Sequence, residues 1–429
     1  MNATIITASQ STKIEQGDTE KINALKEESN YIAGANAGIC YASSSYFDER
    51  VSGRERALNR CDTVLGTNHH SVANHAMIEV LFEGISKSLA MILNNLTFYA
   101  TSEKSGRYTR MHGSTNLERS LYDKWMIKLM SLIKDAYPDM DEKLVTKLAM
   151  ENARLFISAN APIVTMGYSA ALNQWSYIIQ WLREYADFLD VAVDFYNDFH
   201  ASHPLYSVKV PLINENFNNG ICVRFSYNLS REMKEVANML ENLGLKNNKM
   251  NDPKRRKIRT FFDNDIRPPK TIWNFKNSEI THRFDDVIIS RYKGSFALVA
   301  QMQRHRTLQL KFAISEVKNN GTIETYCPDI VAQNGLRKEW EEDMAKLFRE
   351  LIIPLGTMLD VKMIGTGEDY DMMFSERLCG RAQHEIMKLA FKIAHEVNIA
   401  WDVKTKCQMN GGCKEPCMFI KDGLDKKKI

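Results

Sequence analysis

The stretch of sequence best suited to chemistry is Ser105-Gly106-Arg107-Tyr108, within FYATSEKSGRYTRM (98–111). A hydroxyl, a glycine and a guanidinium in succession suit a phosphate, because backbone N–H groups, an O–H and a planar cation can converge on one anion. The preceding triplet, Asn95-Leu96-Thr97, supplies no positive charge. The rest of such an anion site must therefore come from another part of the chain.

A second basic group, Arg304-His305-Arg306, lies in the other half of the chain. It closes the apolar segment 295–310, just as Asn95-Leu96-Thr97 closes the apolar segment 86–101, and the two triplets start 209 positions apart (304 minus 95). This spacing is about half of the 429 residues and indicates a weak internal repeat, explained most simply by duplication with divergence. Two arginines beside a histidine after an apolar segment call for an anionic partner.

The elements that position these residues are predicted from the spacing of apolar residues. The segment 78–93 predicts a strand that runs into a helix. Helical spacing is found over 141–159, 169–196, 231–245, 338–351 and 377–397. The proline-containing, β-favouring stretch 203–217 marks a boundary, so we expect an α+β protein with domains 1–204 and 205–429.

Composition narrows the class of protein. With 44% hydrophobic residues, 25% charged residues and a net charge of +3, the chain is typical of a soluble globular protein without general attraction to nucleic acid or membranes. The basic run at 254–257 has no aromatic residues interleaved and is interpreted as a solvated connector. We find no leader-like or membrane-spanning stretch, and eight scattered cysteines are typical of a reducing compartment, so we expect a cytoplasmic protein.

Three cysteines near the end of the sequence, Cys407, Cys413 and Cys417, lie close together. Three thiolates with a fourth ligand would suit zinc, but the spacing is not that of a standard knuckle and no histidine lies nearby. Packed or exposed thiols are the alternative, and we predict no metal site.

Four motifs resemble those of the flavin-dependent thymidylate synthases, the ThyX family. HHSVANHAMIEVLFEGIS followed by SEKSGRYTRM resembles the family's central region except that it lacks Arg-His-Arg, whereas QMQRHR supplies that triplet in the second half but is followed by Ile314-Ser315-Glu316-Val317 in place of Ser-Gly-Arg-Tyr. ENARLFISANAP (151–162) resembles the family's Asn-Ala-Arg segment. ERLCGRAQHEI (376–386) resembles its Arg-x4-Ala-Gln-x-Glu-Ile motif. Each half has therefore kept what the other lost.

In this family the nucleotide site lies between subunits, so the resemblance implies one composite site formed by both halves. The implied catalytic residue is Arg377, which would stabilise the pyrimidine ring electrostatically without a cysteine nucleophile. The implied nucleotide-binding residues are Gln301, Arg304, Glu103, Ser105, Gly106, Arg107 and Arg154. The implied flavin-binding residues are Arg304, His305, Arg306, His75 and Glu103.

The resemblance also implies a fold and an activity. Two ThyX-like halves, each a twisted β-sheet with flanking helices, would pack as an internal pseudo-dimer, with Ser-Gly-Arg-Tyr and Arg154 in the first half and Arg-His-Arg and Arg377 in the second. The implied reaction is reductive C5 methylation of dUMP with methylenetetrahydrofolate, FAD and NADPH, a methyltransferase step of dTMP biosynthesis. The family's tetramer would correspond here to a homodimer of fused pairs.

The sequence departs from the family pattern where Asn-x-Arg contacts the flavin. The second half has TGEDYDMMF (366–374), which is acidic, and the first half keeps Asn173 but has Trp175 in place of the arginine, with Arg183 as a candidate relic of a second ring-facing arginine. A related C5 methylase or hydroxymethylase acting on UMP or dCMP therefore stays open, as does a non-catalytic nucleotide-binding homologue. The complementary retention of motifs across both halves favours an enzyme.

Overall fold

The computed structural model describes residues 2–8, 18–41, 53–67, 69–95, 98–202, 220–245, 271–272, 287–314, 323–379 and 382–397. The expected domain boundary at 204/205, the basic run 254–257 and the three clustered cysteines lie outside these residues, and those predictions stay predictions. Within them, no helix has the combination of length and apolar character that crossing a membrane requires.

Helices predominate over strands in this mixed α+β architecture, in agreement with the expected class. The strands are β1 (Asn2–Ala8), β2 (Met77–Ile85), β3 (Tyr99–Glu103), β4 (Val164–Ala171), β5 (Thr271–Ile272), β6 (Val287–Ser295), β7 (Gln309–Ile314) and β8 (Met358–Thr366). The helices are α1 (Thr19–Tyr41), α2 (Arg54–Gly66), α3 (Lys87–Leu93), α4 (Asn116–Ala136), α5 (Glu142–Ala153), α6 (Leu172–Ser202), α7 (Gly220–Asn242), α8 (Phe296–Met302), α9 (Asp329–Gln333), α10 (Arg337–Arg349), α11 (Gly367–Arg377) and α12 (His384–Val397). Short 3-10 helices span His70–His75 and Arg154–Phe156.

The chain divides into two compact units, each assembled from separate segments. The first unit consists of Met1–Ser105, Asn160–Asn197 and Arg224–Thr260, and the second of Gly106–Ala159, Asp198–Val223 and Phe261–Ile429. Each unit contains one antiparallel sheet of four strands, in the order β1-β2-β4-β3 in the first and β5-β6-β8-β7 in the second. In both sheets, therefore, the strands that come first, second, fourth and third along the chain lie side by side in that order.

Several of the helix predictions need correction: the helix predicted at 231–245 already begins at Gly220, and the one predicted over 141–159 ends at Ala153. The segment 78–93 is a strand followed by a helix, as predicted. However, the predicted helix 169–196 begins at Leu172, because residues up to Ala171 belong to β4, and short apolar runs do not distinguish a buried strand from a helix. The predicted helix 377–397 is also wrong as one element, since Arg377 ends α11 and α12 starts at His384. Gly380 lies between them in the sequence, and glycine commonly follows a helix end.

In the first unit, a buried carboxyl group anchors the start of α3. Ser86 is the N-cap of this helix and accepts a hydrogen bond from the Leu89 N–H (3.0 Å). The Glu232 carboxyl group, on α7, accepts hydrogen bonds from both the N–H and the hydroxyl of Ser86. Burial raises the pKa of Glu232 to about 7. The contact thus ties α7 to the helix that follows β2.

The second unit uses the same arrangement at the start of α8. Ser295 is the N-cap and accepts from the Leu298 N–H (3.1 Å), while its own N–H and hydroxyl donate to Glu385 at 2.8 Å and 2.6 Å. Glu385 lies in the first turn of α12, and burial raises its pKa to about 7. This carboxyl group joins α12 to the helix that follows β6.

Helix α4 packs on α10 through an aromatic cluster and a buried carboxylate in the second unit. The Trp125 ring contacts Trp340 edge-on at 4.7 Å between centroids and stacks on Phe156 at 5.9 Å. The Trp125 indole N–H donates to Asp343 (2.9 Å), which also forms ion pairs with Lys124 and Lys346. Burial alone would raise the pKa of Asp343, but these hydrogen bonds hold it below its usual value.

The backbone segment 353–357 connects the Arg154 region to the start of α8. The Gly356 N–H donates to Leu155 O (2.9 Å) and the Leu355 N–H to Ile157 O (2.8 Å). On the other side, the N–H groups of Phe296 and Ala297 donate to the carbonyls of Thr357 and Leu355, each at 3.2 Å. A side chain at Gly356 would lie 3.2 Å from Leu155 O, so the close approach of the two segments favours glycine.

Folding raises the pKa of Glu385. The contribution of its carboxyl group to the free energy of unfolding is therefore fully present below about pH 4.5 and is lost as the pH rises through about 7. A Glu385→Gln variant keeps a neutral donor and acceptor for Ser295. We expect its stability to exceed that of the wild type increasingly between pH 5 and pH 8, by about 2–3 kcal/mol over this range. Urea unfolding at the two pH values measures the difference.

The matched control is Glu342→Gln, which changes an exposed carboxylate on α10. Its stability relative to wild type is expected to change little between the two pH values. A Glu385→Gln effect that is the same at pH 5 and pH 8 would contradict this account of the buried carboxyl group.

Candidate active site

Gln301 and the Arg304-His305-Arg306 triplet lie at the end of α8 in the second unit. Helix α8 ends at Met302, and the following turns are closed by the N–H of Arg304 to Gln301 O (3.3 Å) and of His305 to Met302 O (3.0 Å). These turns bury His305, which is 8% exposed, and leave Arg304 and Arg306 exposed. The triplet thus presents two arginines outward around one buried imidazole.

Arg377, the last residue of α11, is bonded to both of these α8 features. Its Nε donates to His305 Nε2 (2.8 Å) and its Nη2 to the backbone carbonyl of Gln301 (2.9 Å). Since His305 Nε2 accepts, the geometry assigns the ring proton of a neutral His305 to Nδ1. Burial, reinforced by the charges of Arg304 and Arg107, lowers the pKa of Arg377 to about 10, with Glu376 opposing. The guanidinium therefore stays charged at neutral pH, and the negative charge of Glu376 balances its positive charge only in part.

Arg154 approaches the same region from the end of α5. It is 9% exposed, and its Nε donates to Glu151 O (3.2 Å). Its Nη2 donates to the side-chain oxygen of Gln383 (2.6 Å), and this oxygen also accepts a hydrogen bond from Gln301 Nε2. Gln383 therefore links Arg154 to Gln301, and through the Gln301 backbone to Arg377.

The amide oxygen of Gln301 is a buried acceptor. The amide nitrogen donates to Ala297 O (3.1 Å) and to Gln383, which fixes the orientation of the amide group. Among the described residues, no hydrogen-bond donor contacts Gln301 Oε1, although the side chain is buried. A buried acceptor without a partner is costly, so this atom is suited to an N–H group of a ligand.

Arg107 and Gly106 complete the basic cluster. Arg107 Nε forms an ion pair of 2.5 Å with the buried carboxylate of Glu151, and its side chain is 13% exposed. At Gly106, a Cβ atom would lie 2.2 Å from Met111 Sδ and 3.5 Å from Arg154 Cδ. Glycine at this position therefore lets the loop backbone pack against the Met111 side chain.

The other predicted site residues belong to the first unit. Ser105 ends one of its segments, next to Gly106 in the chain. Glu103, the last residue of β3, holds Lys87 Nζ with its two carboxylate oxygens at 2.6 and 2.7 Å. His75 ends a 3-10 helix and is exposed. The roles predicted for these three residues stay predictions.

The departures from the Asn-x-Arg pattern have structural explanations. Thr366 and Asp369 form a reciprocal capping box at the start of α11, so acidic residues here complete the helix N-terminus. Trp175 is buried and donates its indole N–H to Ile78 O (3.1 Å). Among the described residues, no group of three or more His, Cys, Asp or Glu side chains is arranged to hold a metal.

Two residues of the cluster were not identified as site residues from the sequence. Gln383 belongs to the Ala-Gln-x-Glu-Ile motif quoted above, and the motif was the available indication of its importance. Glu151 lies directly before Asn-Ala-Arg, where only its position beside Arg154 pointed to it. Spacing could not predict the contact between Gln383 and Arg154, because these residues are 229 positions apart in the sequence.

Comparison with known proteins bears on the first part of the chain. No curated protein sequence matches the chain significantly. Residues 22–179 match the family model Thy1, described as thymidylate synthase complementing protein. The matched segment includes Ser105-Gly106-Arg107-Tyr108 and Arg154 and points to a function related to thymidylate synthesis. Residues 22–179, a little over a third of the chain, are thus similar to the thymidylate synthase complementing protein, or ThyX, family.

Proposed function

We propose that this protein is a flavin-dependent enzyme that methylates dUMP at C5, with methylenetetrahydrofolate as carbon donor and NADPH as reductant. The observation that carries the proposal is the state of Arg377. It is a half-buried cation whose two observed acceptors are both neutral, and burial, together with the charges of Arg304 and Arg107, lowers its pKa to about 10. Such a group is suited to an anion or to a ring that gains negative charge.

The phosphate of the nucleotide is assigned to Arg107 and Arg154. Arg154 is held by a neutral amide and a backbone carbonyl, so its charge is not cancelled by these partners. Arg107 shares one carboxylate, that of Glu151. Guanidinium groups match phosphate oxygens with paired N–H donors, and this match supports the assignment.

The pyrimidine ring is assigned to Arg377 and Gln301. The Gln301 amide oxygen is suited to a ring N–H. The Arg377 guanidinium is suited to the ring carbonyl oxygens, which gain negative charge when C5 is activated to react with the carbon donor. Of the described cysteines, Cys61 and Cys327 are buried, and burial raises the pKa of Cys327 to about 11. The third described free cysteine, Cys379, is partly exposed and lies two residues after Arg377, and our proposal assigns it no nucleophilic role.

The residues of the triplet fit an FAD-type dinucleotide. Arg304 and Arg306 are exposed cations suited to its phosphates. His305 accepts a hydrogen bond from Arg377, so its proposed role toward the flavin is an indirect one, through Arg377. When bound, the reduced flavin supplies the hydride that completes the methyl group. We also keep Glu103 and His75 as proposed flavin contacts and Glu103 and Ser105 as proposed nucleotide contacts.

We further infer that the chain is an internal duplication that forms a pseudo-dimer. Both sheets have the same strand order, and in both a serine N-cap follows the second strand and binds a carboxyl group of a later helix. Ser86 and Ser295 are 209 positions apart (295 minus 86), the same offset as the two triplets. Two coincidences of topology and one of spacing support a common origin for the two halves.

This correspondence replaces Arg183 as the relic of a second ring-facing arginine. Arg183 lies on α6 and forms an ion pair with Glu241. Arg224 lies eight positions before Glu232, and Arg377 lies eight positions before Glu385. Arg224 is exposed. We infer that Arg224 is the counterpart of Arg377 in the half that lacks Arg-His-Arg.

The activity test uses an equal mixture of dUMP, UMP and dCMP with FAD, NADPH and methylenetetrahydrofolate, followed by mass spectrometry of the nucleotides. We expect methylation of dUMP and a fall in kcat of about 10²–10³-fold in Arg377→Lys, because an ammonium group cannot reproduce the guanidinium contacts. Arg224→Lys is the matched control and should keep the wild-type rate.

The other outcomes discriminate between the remaining functions. Methylation or hydroxymethylation of UMP or dCMP would change the substrate and keep the reaction class. Absence of any product, together with tight nucleotide binding that Arg377→Lys leaves intact, would overturn the enzymatic proposal in favour of a binding protein. Equal losses in Arg377→Lys and Arg224→Lys would refute the single composite site.

Gln383→Leu tests the link between Arg154 and Gln301. Removal of the shared amide leaves Arg154 Nη2 and Gln301 Nε2 without their common acceptor. We expect the KM for the nucleotide to rise about 10–100-fold with a smaller change in kcat, since phosphate binding depends on the orientation of Arg154. Gln333→Leu, at an exposed position, is the control. A fall in kcat at unchanged KM would assign Gln383 to another role.

We propose a homodimer of fused pairs as the assembly. Sedimentation equilibrium of the purified enzyme is expected to give about twice the chain mass of 49.3 kDa. A species of one chain mass that retains full activity would overturn this assembly, whatever the outcome of the activity test.

A further inference from the structure

A pocket lies in the second unit, among α4, α5, α9 and α12. Its volume is about 220 Å³, enough for a ligand of one ring with small substituents. Its floor is formed by buried residues such as Ile133 and Glu151, and exposed residues such as Asn334 lie at its rim. None of the arginines assigned to the nucleotide lines it.

Two asparagines of the pocket offer their amide oxygens. Asn152 Nδ2 donates to Leu148 O (2.9 Å), and Asn334 Nδ2 donates to Ile330 O (2.7 Å). Each bond lies within one helical turn and orients the amide nitrogen toward the chain's own backbone. The carbonyl oxygen of each side chain is left as an acceptor for a ligand.

The charged residues of the pocket are acidic. Of the described residues that line it, Glu151 and Asp329 are acidic and none is a lysine or an arginine, although Glu151 is also paired with Arg107 from outside the pocket (2.5 Å). Asp329 Oδ2 pairs with Lys388 (2.6 Å) and lies 3.8 Å from His384 Nδ1. Burial lowers the pKa of His384 below its usual value, so this imidazole is neutral at pH 7 and adds no positive charge.

Apolar and aromatic groups complete the walls. Ile133, Leu148 and Met387 provide aliphatic surface, and Tyr326 provides an aromatic ring. Burial keeps the pKa of Tyr326 well above its usual value, so its hydroxyl group stays protonated. A flat ring can therefore be covered by apolar surface while its polar edge meets the acceptors.

From these contacts we propose that the pocket binds a planar nitrogen-containing cation, an amidine or a protonated amino-heterocycle. Such a ligand carries several N–H donors in one plane, which match the carboxylates of Glu151 and Asp329 and the amide oxygens of Asn152 and Asn334. An anion of the same shape is repelled by the carboxylates of Glu151 and Asp329 and is disfavoured. The pocket lies beside the arginine cluster and shares Glu151 with it, since Glu151 is also the ion-pair partner of Arg107.

Three ring compounds of nearly equal shape test the proposal by calorimetric titration of the full chain at pH 7: benzamidine, benzamide and benzoate. We expect benzamidine to bind at least about 10-fold more tightly than benzamide, with no binding of benzoate to this pocket. Asp329→Asn should weaken benzamidine binding at least about 5-fold. Asp135→Asn, an exposed carboxylate on α4 that does not line the pocket, should leave it unchanged.

A second variant tests the location. Ile330→Trp places a larger side chain in the lining and should abolish benzamidine binding without changing methylation of dUMP. The proposal is overturned if benzoate binds as tightly as benzamidine, or if Asp329→Asn and Asp135→Asn weaken binding equally. It is also overturned if Ile330→Trp binds benzamidine normally, or if the wild type shows no binding of benzamidine at about 10 mM.

Discussion

The hydrogen bonds between Glu385 and Ser295 determine the geometry of the arginine cluster. They tie the start of α12 to the start of α8, so that Gln383, just before α12, lies beside Gln301, near the end of α8. These two glutamines in turn orient Arg154 through a side-chain oxygen and Arg377 through a backbone carbonyl. The positions of the cations are thus a consequence of how one short helix is capped.

The acceptors that hold the site arginines differ from those that hold the structural cations. Arg377 bonds to an imidazole and a carbonyl, and Arg154 to an amide and a carbonyl, all of them neutral. In contrast, Lys124 pairs with the carboxylates of both Glu339 and Asp343 where α4 packs on α10. Neutral acceptors fix the direction of the Arg377 and Arg154 guanidinium groups without cancelling their charge, whereas Arg107 in the same cluster is paired with the carboxylate of Glu151.

Much of the fold class and of the site chemistry was predictable from the sequence, because residue types and short motifs carry that information. Local periodicity predicts the strand-to-helix transition at 78–93. The motifs that contain Arg304 and Arg377 identify these two arginines as candidate site residues. Long-range contacts were not predictable: nothing local indicates that Trp125 packs on Trp340 or that Gln383 receives Arg154. The acidic segment at 366–374 was misleading because its charges complete a helix cap.

The proposed duplication explains which pairs persist in both halves and which do not. Each sheet needs its own capped helix, and both halves keep the serine and the carboxyl group, as Ser86 with Glu232 and Ser295 with Glu385. The residue two positions before the carboxyl group is Gln383 in one half and Ser230 in the other. Ser230 is buried and bonds within its own unit, to Ala186 O (3.0 Å) and Asp190. Under the proposed duplication, selection for stability acts on both halves and selection for the proposed nucleotide site acts on one, so the cap is duplicated and the glutamine is not.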